Sequence, residues 1–371
     1  MTRKSRRYLL LLIGLVAVAY FFYRFRGAIA LEGFDWKAVA DSLRHARISL
    51  LALGVAVIYA CFAIRALRWM RLSRWMGPAR FPSVYSATLM GFACVFLLGR
   101  AGEPIRPVLI ARKSSLSAGG MFGVYILERI FDMGATALLA GFALLLFQHR
   151  DLQSGAAVAL MRVARSTGAL LLVGLIGSIV FLVHFQRHGA EWLARRLGRS
   201  NWRHGWRGKV ILLLEGFGQG LQGIRSWSDL VVLTSYTAVH WLLIACVYLW
   251  VAHAFPGQLA ALSFGGATLV VALTAVGSAV QLPGVGGGAQ VATFLVFTLF
   301  FGVEKGPAAT AAVVLWLVTF ASCCLAGLPL LFHEGWSMGE LRRIAAEEEQ
   351  AEEAQLLAEA ERVVPGEGRG E

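Results

Sequence analysis

Charge is scarce in this chain of 371 residues. Asp, Glu, Lys and Arg make up 15% of it, against roughly 25% in an average soluble domain. Acid is scarcer still before residue 333, because eleven of the 22 acidic side chains are glutamates within 333–371. There are five cysteines (Cys61, Cys94, Cys246, Cys323, Cys324), each inside an apolar run and none at metal-ligand spacing from a histidine. They read as small buried hydrophobes, with no metal site. Nucleotide motifs are also lacking. Gly284-x-Gly286-x-x-Ala289 has the loose dinucleotide spacing but lies in an apolar run with no strand before it. His149-Arg150-Asp151 stands without a glycine-rich loop, a strand lysine or Asp-Phe-Gly. The sequence therefore calls for no cofactor and no nucleotide as energy source.

What fills the chain instead is apolar: 57% hydrophobic residues, 41 glycines and a mean hydropathy of +0.64. This excludes a disordered protein and an ordinary cytosolic enzyme. It reads as an all-α polytopic membrane protein. The net charge of +13 is a matter of placement. Residues 1–332 carry +20 and residues 333–371 carry −7. The positive charge falls between apolar runs, with +5 over 65–80, +3 over 99–115 and +6 over 186–228. That distribution is a topology signal and argues against nucleic acid as a partner. In 186–228, Trp192, Trp202 and Trp206 are interleaved with arginines near helical spacing, which suits an anionic lipid surface.

The long apolar runs are 8–23, 48–64, 83–98, 118–147, 167–185, 229–254, 259–282, 284–302 and 307–332. Nine full crossings from a cytoplasmic N-terminus would place both the 186–228 loop and the acidic tail outside, against the positive-inside rule. If 83–113 enters and leaves from one face, the parity is repaired. About eight spans result, with one or two broken or re-entrant helical hairpins, and 264–302 is either a second hairpin or two spans. Both termini and the basic loops then lie in the cytoplasm, in a multi-pass protein of the inner (plasma) membrane. Ala87-Thr88-Leu89 precedes the break Gly99–Pro104, and Ala267-Thr268-Leu269 precedes the break Pro283–Gly288. Interrupted apolar segments in matching places of two halves mark an inverted repeat. Basic residues, the run 8–23 and Ala28-Ile29-Ala30 resemble a signal peptide, but Arg24 and Arg26 disfavour cleavage. The organisation is a transmembrane domain over 1–338 and an acidic cytoplasmic tail over 339–371.

Ionised side chains at membrane depth cost at least about 2.5–3.5 kcal/mol each, so those present are kept for a reason. Two clusters qualify: Arg100, Glu103 and Arg106 at the first break, and Glu128, Arg129 and Asp132 about ten residues into 118–147. On a helix 128 and 132 share a face, and 129 meets 132. The clusters either staple two helices together or frame a polar cavity for the head group of an amphiphile. In the second reading the arginines hold a phosphate bidentately. The acids orient them or receive an ammonium group, and helix ends at the breaks add N–H donors. His240 and His253 have no carboxylate companion at ligand spacing and read as packed or pore-lining.

Gly99-Arg100-x-Gly102-Glu103-x-x-Arg106, then Glu128-Arg129-x-x-Asp132, then a second Pro/Gly-rich break before a final pair of helices, resembles the lysylphosphatidylglycerol synthase transmembrane (flippase-like) family. The resemblance runs over roughly residues 8–332. In that family the second break is followed by a Glu; here Gln290 stands near that place and supplies no charge, and the final helix carries Trp316. Two-part members add an aminoacyl-transferase domain, for which 333–371 is too short and too acidic, so the resemblance is to the membrane part alone. It implies a lipid translocase moving an anionic, aminoacylated or glycosylated lipid (phospholipid or polyprenyl type) between leaflets. Arg100, Glu103, Arg106, Glu128, Arg129, Asp132, Gly286, Gly287 and Gln290 would be its substrate-binding residues. Two other readings compete: an intramembrane lipid-modifying enzyme with Glu128 or Asp132 as general base, and a non-transporting scaffold that recruits partners through its tail.

Overall fold

The computed structural model describes residues 36–146, 223–224, 226–278, 281–282 and 286–335, with isolated positions 173, 177 and 339. The expected first span 8–23, nearly all of the span 167–185, most of the basic loop 186–228 and nearly all of the acidic tail lie outside the described residues.

Among the described residues the fold is helical throughout, apart from one two-residue strand pair. A short helix α1 (Trp36–Arg44) precedes α2 (Ile48–Ser73). Then come α3 (Phe81–Leu98), a 3-10 turn (Gly99–Gly102) and α4 (Ile105–Ser114). α5 (Ala118–Leu146) closes the first half. The second half repeats the order. α6 (Trp227–His253) is followed by α7 (Phe264–Gly277), the strand pair β1 (Gln281–Leu282) and β2 (Gly286–Gly287), and α8 (Gly288–Phe301). α9 (Lys305–Thr319), a 3-10 turn (Ala321–Cys323) and α10 (Cys324–His333) end it. Each half is thus a long helix, a broken helical hairpin and a long helix. Among the described residues, four stretches are long and apolar enough to cross a membrane: Ile48–Ser73, Phe81–Gly102, Trp227–His253 and Lys305–His333. The chain is a multi-pass membrane protein.

The breaks are made by close backbone approach. A Cβ on Gly102 would sit 2.4 Å from the Cys94 carbonyl oxygen, so only glycine lets the chain turn back against the end of α3. A Cβ on Gly277 would meet the Gly288 carbonyl at 2.4 Å, and the second hairpin closes in the same way. The bases of both hairpins are fixed by contacts. Lys113, at the end of α4, donates to the Ser86 hydroxyl near the start of α3 at 2.7 Å. Gly266, at the start of α7, lies beside the ring of Phe301 at the end of α8.

Two further contacts orient the halves. The Arg47 amide donates to the Ala254 carbonyl at 2.8 Å, and Arg71 and Arg74 pair with the fully buried Asp229. α2 and α6 are therefore antiparallel. The first hairpin follows the end of α2 and the second follows the end of α6, so they open toward opposite faces. Their tips meet where Arg100 donates to the Ser278 carbonyl at 2.7 Å. One apolar core, which includes Trp69, Met90, Leu109 and Met121, binds the first hairpin to α2 and α5. A second, around Val251, Phe255, Val270 and Phe297, binds the second hairpin to α6 and α9.

Two sequence expectations change. The basic stretch 65–80 was assigned to a loop, but α2 continues to Ser73, and Arg65 and Arg68 point inward from it, Arg68 with 1% exposure. The final apolar run 307–332 reads as one uninterrupted stretch in the sequence, yet it breaks at Ala321–Cys323.

Candidate functional site

The charged side chains meet where α2, α4 and α5 converge. Glu128 is fully buried and accepts from Arg65 Nη1 at 2.8 Å, from Arg68 Nη2 at 2.8 Å and from Arg106 Nη2. Asp132, one turn on, accepts from Arg65 Nη1 at 3.0 Å, Arg68 Nη1 at 2.9 Å and the Trp241 indole at 3.4 Å. Arg68 also donates to the Thr237 hydroxyl at 3.0 Å. Such a network is needed because an ion left unpaired in a low-dielectric interior costs several kcal/mol.

At the first hairpin tip, both oxygens of Glu103 are engaged, one by Arg100 and the other by the Tyr125 hydroxyl. Arg106 is clamped by aromatic faces: its guanidinium carbon lies 4.9 Å from the Trp69 ring centroid and 5.0 Å from that of Phe92. These faces attract the cation while its Nη1 has no hydrogen-bond partner. Arg129 differs from the other four. It stacks over Tyr125 at 5.0 Å, pairs with no carboxylate among the described residues, and keeps a buried Nε without a partner.

This assembly forms one side of a cavity of about 270 Å³. Arg65, Arg100, Glu103, Arg106, Tyr125 and Arg129 line it from the first half, along with Phe92 and Val95. From the second half come His240, Trp241, Tyr248, Thr274, Ser278, Gly287, Thr293, Trp316, Thr319 and Phe320. Trp316 stacks on Phe96 at 5.6 Å, giving the cavity an aromatic flank. The cavity thus has an arginine-rich end, a hydroxyl-bearing wall and apolar rings. That is the chemistry for a polar head group joined to an apolar chain.

The model of the lysylphosphatidylglycerol synthase TM region matches residues 10–327. The chain belongs to this family. No curated protein and no solved structure matches it.

Within this family member, the nine residues singled out from sequence take different places. Arg100, Glu103, Arg106, Arg129 and Gly287 line the cavity. Glu128 and Asp132 stand behind the lining, holding Arg65, Arg68 and Arg106 in place. Gln290 turns its amide oxygen back to the Gly287 N–H at 2.6 Å, capping α8. Gly286 belongs to β2. Of the two histidines, His240 lines the cavity, and His253 is packed against the Leu262 carbonyl at 2.8 Å. The sequence reading missed Arg65 and Arg68, and with them the sign of the site. Its six ionised candidates balance, three arginines against three acids. With Arg65 and Arg68 there are five arginines against three carboxylates, a surplus of +2. The signal was available: Arg65, Arg68 and Arg71 recur at i, i+3 in phase with the helix that precedes them. The hydroxyl wall was also missed, because isolated threonines in apolar runs carry no pattern.

Proposed function

We propose that the chain is a lipid translocase that passes an anionic head group between leaflets through this cavity. The observation that carries the reading is Arg129, a half-buried arginine on the cavity wall whose buried Nε has no hydrogen-bond partner and which makes no salt bridge among the described residues. It stands amid a cluster whose charge surplus is positive. A phosphate would supply the acceptor that this Nε lacks, and the guanidinium fork suits it. Glu128 and Asp132 act as positioning residues that keep Arg65, Arg68 and Arg106 fixed.

The antiparallel halves, with hairpins opening to opposite faces and meeting tip to tip, support an inverted repeat and alternating access at the junction. α7 and α8, of 14 residues each, are about 21 Å long, short of a hydrocarbon core of about 30 Å. Their common base supports a second re-entrant hairpin in place of two of the eight expected spans. We place the end of α2, the base of the first hairpin and the end of α10 on the cytoplasmic face of the plasma membrane, together with both termini. Arg71, Arg74, Arg80, Arg112 and Lys113 cluster there. In this reading the partners are membrane lipids, with an anionic lipid surface under the basic loops and no nucleic acid. The transmembrane unit is 1–338, the tail is 339–371, and the protein performs no bond chemistry of its own.

The test is leaflet exchange of labelled phosphatidylglycerol in vesicles holding the full chain. Exchange above protein-free vesicles is expected. Arg129→Ala should cut it by about tenfold or more, the loss of one charge-assisted contact. Exchange unchanged in Arg129→Ala, with the variant folded by size-exclusion chromatography, would overturn the cavity model.

A further inference from the structure

We infer that Arg100 is a latch between the two hairpin tips, and that a phosphate entering the cavity releases it and lets the tips part. The inference rests on the translocase reading for the arrival of a lipid phosphate. It deepens that reading by naming the contact that couples an occupied cavity to the opening of the seam between the halves.

The second tip has a need that the first one meets. α7 ends at Gly277, and the Ser278 amide still donates to the Thr274 carbonyl at 2.8 Å. The carbonyls of a helix's last turn lack intrahelical partners and carry the negative end of its dipole. A cation at that end stabilises them, but the described part of the second hairpin holds no ionised side chain. Arg100 supplies the cation from the other half. One of its terminal nitrogens donates to the Ser278 carbonyl at 2.7 Å, and the other is held by Glu103, whose second oxygen takes the Tyr125 hydroxyl. The planar fork of an arginine serves two such acceptors at once, whereas a lysine presents a single point charge. Tyr125, Glu103, Arg100 and Ser278 thus form one chain from α5 through the first tip to the second. The last contact is the weak one. The Arg100 side chain is 47% exposed and lines the cavity together with Arg106 and Arg129. A phosphate there competes for the nitrogen that holds Ser278. It offers a full charge and bidentate geometry against one neutral carbonyl. The salt bridge to Glu103 keeps Arg100 on its own hairpin, so the contact that yields is the one between the halves.

The experiment is hydrogen–deuterium exchange of the purified full chain in detergent, read by mass spectrometry on peptides covering the last turn of α7 and Ser278. The probes are phosphatidylglycerol, inorganic phosphate and diacylglycerol, which lacks the phosphate. With phosphatidylglycerol these amides should exchange about fivefold faster or more, the factor that one lost ionic contact adds to local opening. Diacylglycerol should leave them unchanged. Faster exchange with inorganic phosphate as well assigns the release to any phosphate, and faster exchange with phosphatidylglycerol alone assigns it to the lipid; either supports the latch. Arg100→Lys keeps the charge and loses the fork, so its amides should exchange faster before any probe is added. Slower or unchanged exchange of the unmutated chain with both phosphate probes overturns the inference. Equal acceleration by diacylglycerol overturns it too, and so does exchange in Arg100→Lys that matches the unmutated chain. The vesicle assay separates the two proposals. Opening of the tip by phosphatidylglycerol without leaflet exchange leaves the latch standing and removes the translocase reading. Leaflet exchange with a tip that stays protected does the reverse.

Discussion

The two broken hairpins have the same architecture and opposite chemistry. The first carries Arg100, Glu103 and Arg106 and leans on the ionised residues of α2 and α5. In the described part of the second, no side chain ionises, and its polarity comes from Thr274, Ser278, Thr293 and backbone groups. Ionised groups need a shell of partners before they can be buried, so the first hairpin is a component of a network. Hydroxyls satisfy themselves on their own helix carbonyls, so the second hairpin is locally complete. One architecture thus places a charged wall and a neutral wall face to face.

The largest break in this comparison should come from Glu128→Ala. Three arginines would lose a common acceptor in a fully buried place, and stability should fall by about 3–5 kcal/mol. Thermal unfolding in detergent reads it. No comparable loss should follow any single hydroxyl deletion in the second hairpin, such as Thr293→Val. Next come the two tip glycines. Gly102→Ala and Gly277→Ala each put a Cβ at 2.4 Å from a carbonyl oxygen. Each should cost about 1–3 kcal/mol through overpacking. A matched loss in the two variants, seen in the same melting experiment, would show that architecture rather than charge sets the tips.

Gln290→Ala removes the acceptor for the Gly287 N–H and should cost about 1 kcal/mol, again by melting. Gln290→Glu keeps that acceptor while adding a charge to the neutral hairpin. It should retain the cap, with a carboxylate at a helix N-terminus, so it should melt closer to the unmutated chain than Gln290→Ala does. The smallest effect is expected at the cytoplasmic ends of α2 and α6. Asp229 keeps Arg71 when Arg74, whose side chain is 43% exposed, becomes alanine. Arg74→Ala should shift stability by about 0–1 kcal/mol.

Much of this was legible in the sequence because membrane burial writes strong patterns. The apolar runs, the Gly/Pro breaks and the i, i+4 placement of Glu128 and Asp132 all follow from helix geometry and the cost of burying charge. The family followed from the residues at the first break and on α5. What was not legible is pairing across the fold. Arg65 and Arg68 look like loop charges until α5 brings two carboxylates to them. Asp229 looks like a helix-start residue until α2 covers it. Gln290 sits where a substrate contact was expected, but its amide closes a local cap, and no linear pattern distinguishes the two. The break at Ala321–Cys323 contains no proline, so nothing in the run announces it.

The ion network also bears on how the chain enters the membrane. α5, with Glu128, Arg129 and Asp132, and α4, with Arg106, are poor candidates for insertion one at a time, since each central charge costs about 2.5–3.5 kcal/mol in lipid. Of these helices α2 precedes the others in the chain and carries Arg65 and Arg68 near one end of a long apolar stretch. A later α5 then finds its countercharges already in place. The salt bridges that hold the finished site therefore make joint burial of α2, α4 and α5 cheaper than burial of any one of them alone.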